Sequence, residues 1–198
     1  MSSLSYHSVP LLLIAHDAAR KARADAARPD ALTTDSLVAI IMAATAAEAF
    51  INELADYLQD FASINESLGA CADAVKKVEE DHGPVTLKYL EASRALCGRM
   101  FNKGTQPYQD FAQLISLRNA IVHLKPGDTR GPKGADMLTQ KGLAHDHAMP
   151  WPLQLEKPQT AEWAVGAAHR IMLAILELTP EHGERDPLNL WKLPLREL

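Results

Sequence analysis

An arginine, an asparagine and a histidine lie close together at the end of an apolar segment of this chain. The segment reads QDFAQLISLRNAIVH and carries Arg118, Asn119 and His123. Arginine presents a permanent positive charge in a fork that suits phosphate, and histidine exchanges a proton near neutral pH. In RNA cleavage without a metal, His123 would act as base or acid. Arg118 would stabilise the charge that grows on the phosphoryl oxygens, and Asn119 would hold the imidazole or the phosphate.

A glutamate on another predicted helix is the expected partner of the arginine. At 100° per residue, Arg118 falls on one stripe with Phe111, Ile115 and Val122, so we expect it to point inward. Glu48 lies on the inward stripe of the second predicted helix. A buried charge needs a partner, which predicts an ion pair between Glu48 and Arg118. The pair has two compatible interpretations: it stabilises the core, or it also orients Arg118 toward a phosphate.

On a regular helix, the side chains of the histidine and the arginine point in different directions. Arg118 and His123 are five residues apart, which is roughly 140° around the axis. A shared site therefore requires His123 to lie at a frayed helix end, or a second subunit to complete the site. Asn119 and His123 are four residues apart and share a face. The alternatives are a histidine favoured only by the helix dipole and an asparagine on the surface.

The elements that would position these residues are helices. Alanine and leucine are abundant and only 6% of residues are aromatic, which predicts an all-α fold. We expect an antiparallel helical bundle of about five helices, with a long irregular insert before the last helix. A second helix, capped by Thr34, follows an apolar stripe from 37 to 58, and a weaker third segment covers 66–80. The other predicted helices cover about 11–27, 84–101, 108–122 and 161–178.

The domain organisation follows from the distribution of proline and glycine. Residues 1–180 are predicted to form one helical domain, in which 125–159 is a proline- and glycine-rich insert. Residues 181–198 are predicted to form an extended tail whose apolar side chains dock on the same domain or on a partner.

Charge and cysteine content exclude several classes of protein. The net charge is −5, which disfavours a general coat for nucleic acid but allows a local basic site. Cys71 and Cys97 form no disulfide framework and fit a reducing compartment. The apolar run from Val9 to Ala15 is too short for a membrane span and lacks a preceding basic residue. The sequence predicts a cytoplasmic protein that does not enter a membrane.

Other candidate side chains are weaker. His145 and His147 resemble two metal ligands, but no third is evident, so we predict no metal and no cofactor. Lys125 follows His123 closely and is a candidate RNA contact. Trp163 and Trp191 could stack on a base, although packing is the more common role. Basic residues of the insert could assist an RNA contact; they are Arg130, Lys133 and Lys141.

Three segments resemble the HEPN superfamily (higher eukaryotes and prokaryotes nucleotide-binding domains). LISLRNAIVHLKP resembles its signature, an arginine and a polar residue followed by a histidine, and Arg118, Asn119 and His123 match it. AATAAEAFINELAD is similar to an early helix with an acidic residue at the place of Glu48, and TAEWAVGAAHRIMLAI is similar to a closing helix. The resemblance covers most of residues 35–178, while the insert and the tail depart from a minimal domain.

The resemblance implies a bundle that dimerises through its motif-bearing helices. It also implies a metal-independent endoribonuclease of toxin or defence type, with RNA as substrate and a possible cognate antitoxin. The expected catalytic residues are Arg118, His123, Asn119 and Glu48, with Lys125 binding RNA. One alternative is a catalytically inactive helical module that binds RNA, nucleotide or a protein partner. Another is a structural protein in which Arg118 and Glu48 hold the core.

Overall fold

The prediction of an all-α fold is confirmed. The computed structural model describes residues 6–26, 34–63, 65–124, 135–145, 151–179 and 188–197, and these ranges contain helices and no strand. A short 3-10 helix spans Leu153–Leu155. The eight α-helices of these ranges are α1 Ser8–Asp25, α2 Asp35–Gln59, α3 Glu66–Glu80, α4 Val85–Cys97, α5 Tyr108–Val122, α6 Ala135–Gln140, α7 Pro158–Leu178 and α8 Asn189–Glu197.

Helix α2 is the centre of the bundle. It packs against α1 and α7 most extensively and also against α3 and α5. Alanines on α2 and α1 lack bulk, so these two helices approach closely, while Phe50, Ile51 and Leu54 fill the space toward the other helices. Among the described residues, α2 is the one helix long and apolar enough to cross a membrane. Half of its apolar window is buried inside the bundle, as in the core helix of a soluble protein.

Local signals explain where several helices begin and end. The side chain of Asn65 accepts a hydrogen bond from the Ser67 backbone N–H at 3.0 Å and so caps α3. Gly98 has φ +74°, a left-handed conformation that suits glycine, and it ends α4. The prediction that this helix continues to about residue 101 is therefore wrong. Thr34 stands at the N-cap of α2, but its side chain makes no capping hydrogen bond, contrary to expectation.

In the described ranges the predicted insert contains short helical elements, and the prediction of an extended tail is wrong. Within 125–159 the chain forms α6, the 3-10 helix and the first residues of α7. Within 181–198 it forms α8, so the predicted last helix is followed by another. The count of about five helices was too low because these short elements lie in proline-rich stretches, where sequence periodicity is interrupted.

The C-terminal helix docks on its own domain, one of the two alternatives for the apolar tail. The Trp191 side chain is fully buried. Its ring meets Tyr6, Phe50 and Tyr57 edge to face, with centroids 4.8, 5.9 and 5.4 Å away. The indole Nε1 donates a hydrogen bond to Ser8 Oγ at 3.3 Å. Trp191 thus joins both ends of the chain to α2, and it is inaccessible for stacking on a base.

A buried carboxylate joins the segment after α6 to α5 and α7. Asp110 Oδ2 lies 3.1 Å from Arg170 Nη2 on α7, and its Oδ1 lies 3.5 Å from Lys141 Nζ. Burial raises the pKa of Asp110, but a hydrogen bond from Gln106 and the charges of Lys141 and Arg170 lower it overall. Lys141, a candidate RNA contact by sequence, instead contacts this carboxylate.

Candidate functional site

The expected ion pair between α2 and α5 is present. Arg118 Nη2 donates a short charge-assisted hydrogen bond to Glu48 Oε2, at 2.6 Å. The Arg118 side chain is 22% exposed and that of Glu48 is 40% exposed. The prediction that Glu48 is buried is therefore wrong, although Ala44 and Ile51 on the same stripe are fully buried. The pair lies where the core meets solvent, and an external phosphate can approach it.

The neighbours of Arg118 on α5 explain this intermediate position. Leu114 and Leu117 are fully buried, so the inward face of α5 is centred on them. Arg118 lies at the edge of that face, and Val122, predicted to point inward, is 53% exposed. Arg118 Nε is buried and has no hydrogen-bond partner in the described part of the chain. The glutamate therefore fixes one end of the guanidinium and leaves Nε without a partner.

The histidine of the motif stands just past the end of α5. His123 is the C-cap, with φ −103° and ψ 24°, and its backbone N–H donates to Asn119 O at 3.0 Å. The side chains of His123 and Asn119 are exposed. No hydrogen bond joins either side chain to Arg118 within the ranges described. The structure thus brings Arg118 and Glu48 together and leaves His123 accessible nearby on the chain, while Lys125 lies outside the described residues.

A buried lysine beside this pair was missed by the sequence reasoning. Lys88 on α4 is only 4% exposed. Its Nζ donates to Asn52 Oδ1 at 2.8 Å and forms an ion pair with Glu79. Asn52 lies one helical turn after Glu48 on α2, so the lysine and the arginine meet neighbouring positions of the same helix. Glu48, Asn52, Lys88 and Arg118 together are called the α2 polar cluster below.

The sequence held a signal for Lys88. Val85, Tyr89 and Ala92 are buried on α4 at helical spacing, and Lys88 falls within that stripe. Like Arg118 on α5, a lysine on such a stripe is expected to point inward and to need a partner for its charge. Burial lowers the pKa of Lys88, and the nearby charge of Glu48 partly opposes that shift.

We expect Lys88→Met to change the pH dependence of stability. The folded-state pKa of Lys88 lies below its unfolded value, so the unfolded state holds more protons between the two values. Stability of the wild type therefore rises with pH across that interval, and the methionine variant lacks this gain. Urea unfolding at about pH 8 and about pH 10 should show the variant losing stability relative to wild type as pH rises. An equal difference in unfolding free energy between wild type and Lys88→Met at both pH values would contradict the lowered pKa of Lys88.

The other residues that the sequence offered as candidates either contact the protein itself or lie outside the described residues. His145 Nε2 lies 3.1 Å from the carbonyl oxygen of Glu156, which places its ring against the backbone, and His147 lies outside the described residues. The described residues contain no group of three potential metal ligands from histidine, cysteine, aspartate and glutamate. Trp163 is half-buried and packs against the core. Arg130 and Lys133 lie outside the described residues.

Comparison with protein-family models, with curated proteins and with solved structures gave no match.

Proposed function

We propose that this protein is a metal-independent endoribonuclease of toxin or defence type that acts in the cytoplasm. The observation that carries the proposal is the 2.6 Å contact between Arg118 Nη2 and Glu48 Oε2 at the rim of the bundle. That contact orients a permanent positive charge at a solvent-accessible position. His123, the proton-transfer group, is exposed just past the end of the same helix.

The proposed reaction needs only groups that the chain supplies. The RNA 2′-hydroxyl attacks the adjacent phosphorus, so a bond from the 2′-oxygen to phosphorus forms and the bond to the 5′-oxygen breaks. One imidazole accepts the 2′-hydroxyl proton, and an acid donates a proton to the departing 5′-oxygen. Arg118 stabilises the charge on the non-bridging oxygens, and Asn119 holds the imidazole or the phosphate. The products are a cyclic phosphate and a 5′-hydroxyl.

A second copy of the chain would complete the site. Each chain supplies one His123, whereas the reaction uses a base and an acid. The apolar residues on either side of it, Val122 and Leu124, are both exposed, and exposed apolar side chains favour a contact with another surface. A two-fold axis near this position would place two copies of the motif around one cleft. Such a site also provides a surface that a cognate antitoxin could cover.

A second candidate function is a catalytically inactive module that binds RNA, nucleotide or a protein partner. The observation that favours it is the lack of any hydrogen bond between the side chains of Arg118 and His123 in the described part of the chain. A binding module needs only the arginine as a phosphate contact and requires no proton transfer. Such a protein would retain RNA on a filter and leave it intact.

Expression in bacterial cells separates the two functions. We expect the wild type to arrest growth and His123→Ala to relieve the arrest at equal protein level, because the variant lacks the proton-transfer group. His7→Ala is the matched control, since His7 is another exposed histidine at a helix end. Arrest that persists in His123→Ala would count against the ribonuclease.

A further inference from the structure

A groove between α1 and α7 has the composition of a small-molecule site. Its volume is about 430 Å³, within the range of about 300–1,000 Å³ that is typical of such sites. Its apolar lining residues are Val165 of α7, which is partly exposed, and Leu12 and Ala19 of α1, which are buried. None of the motif residues lines it. We call this cavity the α1–α7 groove.

The polar side of the groove carries more positive than negative charge. Arg20 and Arg23 line it from α1, and Glu162 is the one acidic residue that lines it, from α7. Arg23 Nη2 donates to Glu162 Oε2 at 2.7 Å, so those two charges offset each other. Within the described ranges, Arg20 pairs with Asp17 alone, one turn away, at 3.0 Å. Both side chains of that pair are exposed, and such pairs are weak in water, so the Arg20 guanidinium can turn to an incoming anion.

Two histidines line the groove, one from each helix, and add to its donors. His16 lines it from α1 and His169 from α7. His169 Nε2 contacts the carbonyl oxygen of Leu195 on α8. A carbonyl oxygen only accepts hydrogen bonds, so the proton of a neutral His169 is on Nε2 and Nδ1 is left for another partner.

We propose that the α1–α7 groove binds a small organic anion: a phosphate monoester or a carboxylate attached to an apolar group. The apolar group packs on Val165, which is partly exposed, and the anionic group accepts hydrogen bonds from Arg20 and His16. The groove is larger than a bare inorganic anion. Such an ion would leave the apolar lining of the groove exposed to water. This site is separate from the α2 polar cluster, so the proposal does not rest on the ribonuclease function.

Titration calorimetry on the full chain tests the proposal with phenyl phosphate, benzoate and uncharged benzyl alcohol. We expect at least one anion to bind, and benzyl alcohol to bind at least about tenfold more weakly, because it lacks the charge. Arg20→Gln should weaken anion binding by about tenfold. Which anion binds tighter distinguishes a phosphate from a carboxylate ligand. Saturable heat from neither anion at about 10 mM would overturn the proposal.

The control variant is Arg94→Gln. Arg94 is an exposed arginine on α4 that pairs with Glu91 three residues earlier, as Arg20 pairs with Asp17, but it does not line the groove. We expect its anion affinity to equal that of wild type. Equal anion affinity in Arg20→Gln and wild type, with both folded by circular dichroism, would also overturn the proposal.

Discussion

We expect that replacing Arg118 with alanine will lower the rate of the proposed RNA cleavage by about 10²–10³-fold, the usual effect of removing one donor to a developing oxyanion. The expectation follows from the position of Arg118 at the bundle rim, where Glu48 holds one end of the guanidinium. Single-turnover cleavage of a defined RNA measures the rate. Arg118→Lys should recover part of it, since lysine keeps the charge but loses the fork.

The effect of Arg118→Ala on stability separates catalysis from a purely structural role. A fully buried pair costs about 3–5 kcal/mol when one partner is removed. This pair is partly exposed, so we expect a loss of about 1–3 kcal/mol, and the variant should remain folded. Glu48→Gln should reduce cleavage less than Arg118→Ala, because it disturbs the orientation of the arginine and not its charge. A folded Arg118→Ala that cleaves at the wild-type rate would remove Arg118 from the mechanism.

Trp191→Ala should lower the free energy of unfolding by about 3–5 kcal/mol, the range for a large aromatic removed from a core. The ring is fully buried among Tyr6, Phe50 and Tyr57. Urea unfolding measures the loss. Trp163→Ala is the matched control: Trp163 is only half-buried, so its loss should be smaller. An equal loss for both variants would contradict the docking of α8 on the aromatic cluster.

Local signals were enough to predict some helices and not others. Helices α3 and α5 have the bounds that periodicity predicts, and Asp35 begins α2 as expected. Helix α8 was predicted to be extended because Pro187 and Pro194 interrupt its pattern. What stabilises α8 is the contact of Trp191 with Tyr6 and Phe50, which are far away in sequence. A contact between residues so distant in sequence is not visible in the spacing of apolar residues along the helix.

The sequence predicts the ion pair between Glu48 and Arg118 but not how exposed their side chains are. Helical spacing placed Glu48 and Arg118 on facing stripes, and they form the expected contact. Their exposure depends on how neighbouring helices cover the rim, which the spacing on one helix does not contain. Lys88 shares the buried stripe of α4 with Val85 and Tyr89, so its burial was also predictable from helical spacing.

The central claim is that His123 moves a proton during metal-free RNA cleavage. The most direct measurement incubates purified protein with mixed RNA in EDTA, wild type beside His123→Ala, and analyses the new ends. His123 is exposed, so the substitution should change stability by no more than about 0.5 kcal/mol. We predict cleavage by the wild type alone, leaving cyclic or 3′-phosphate ends. Cleavage that persists in His123→Ala, 3′-hydroxyl ends, or intact RNA beside folded dimeric wild type would contradict the claim.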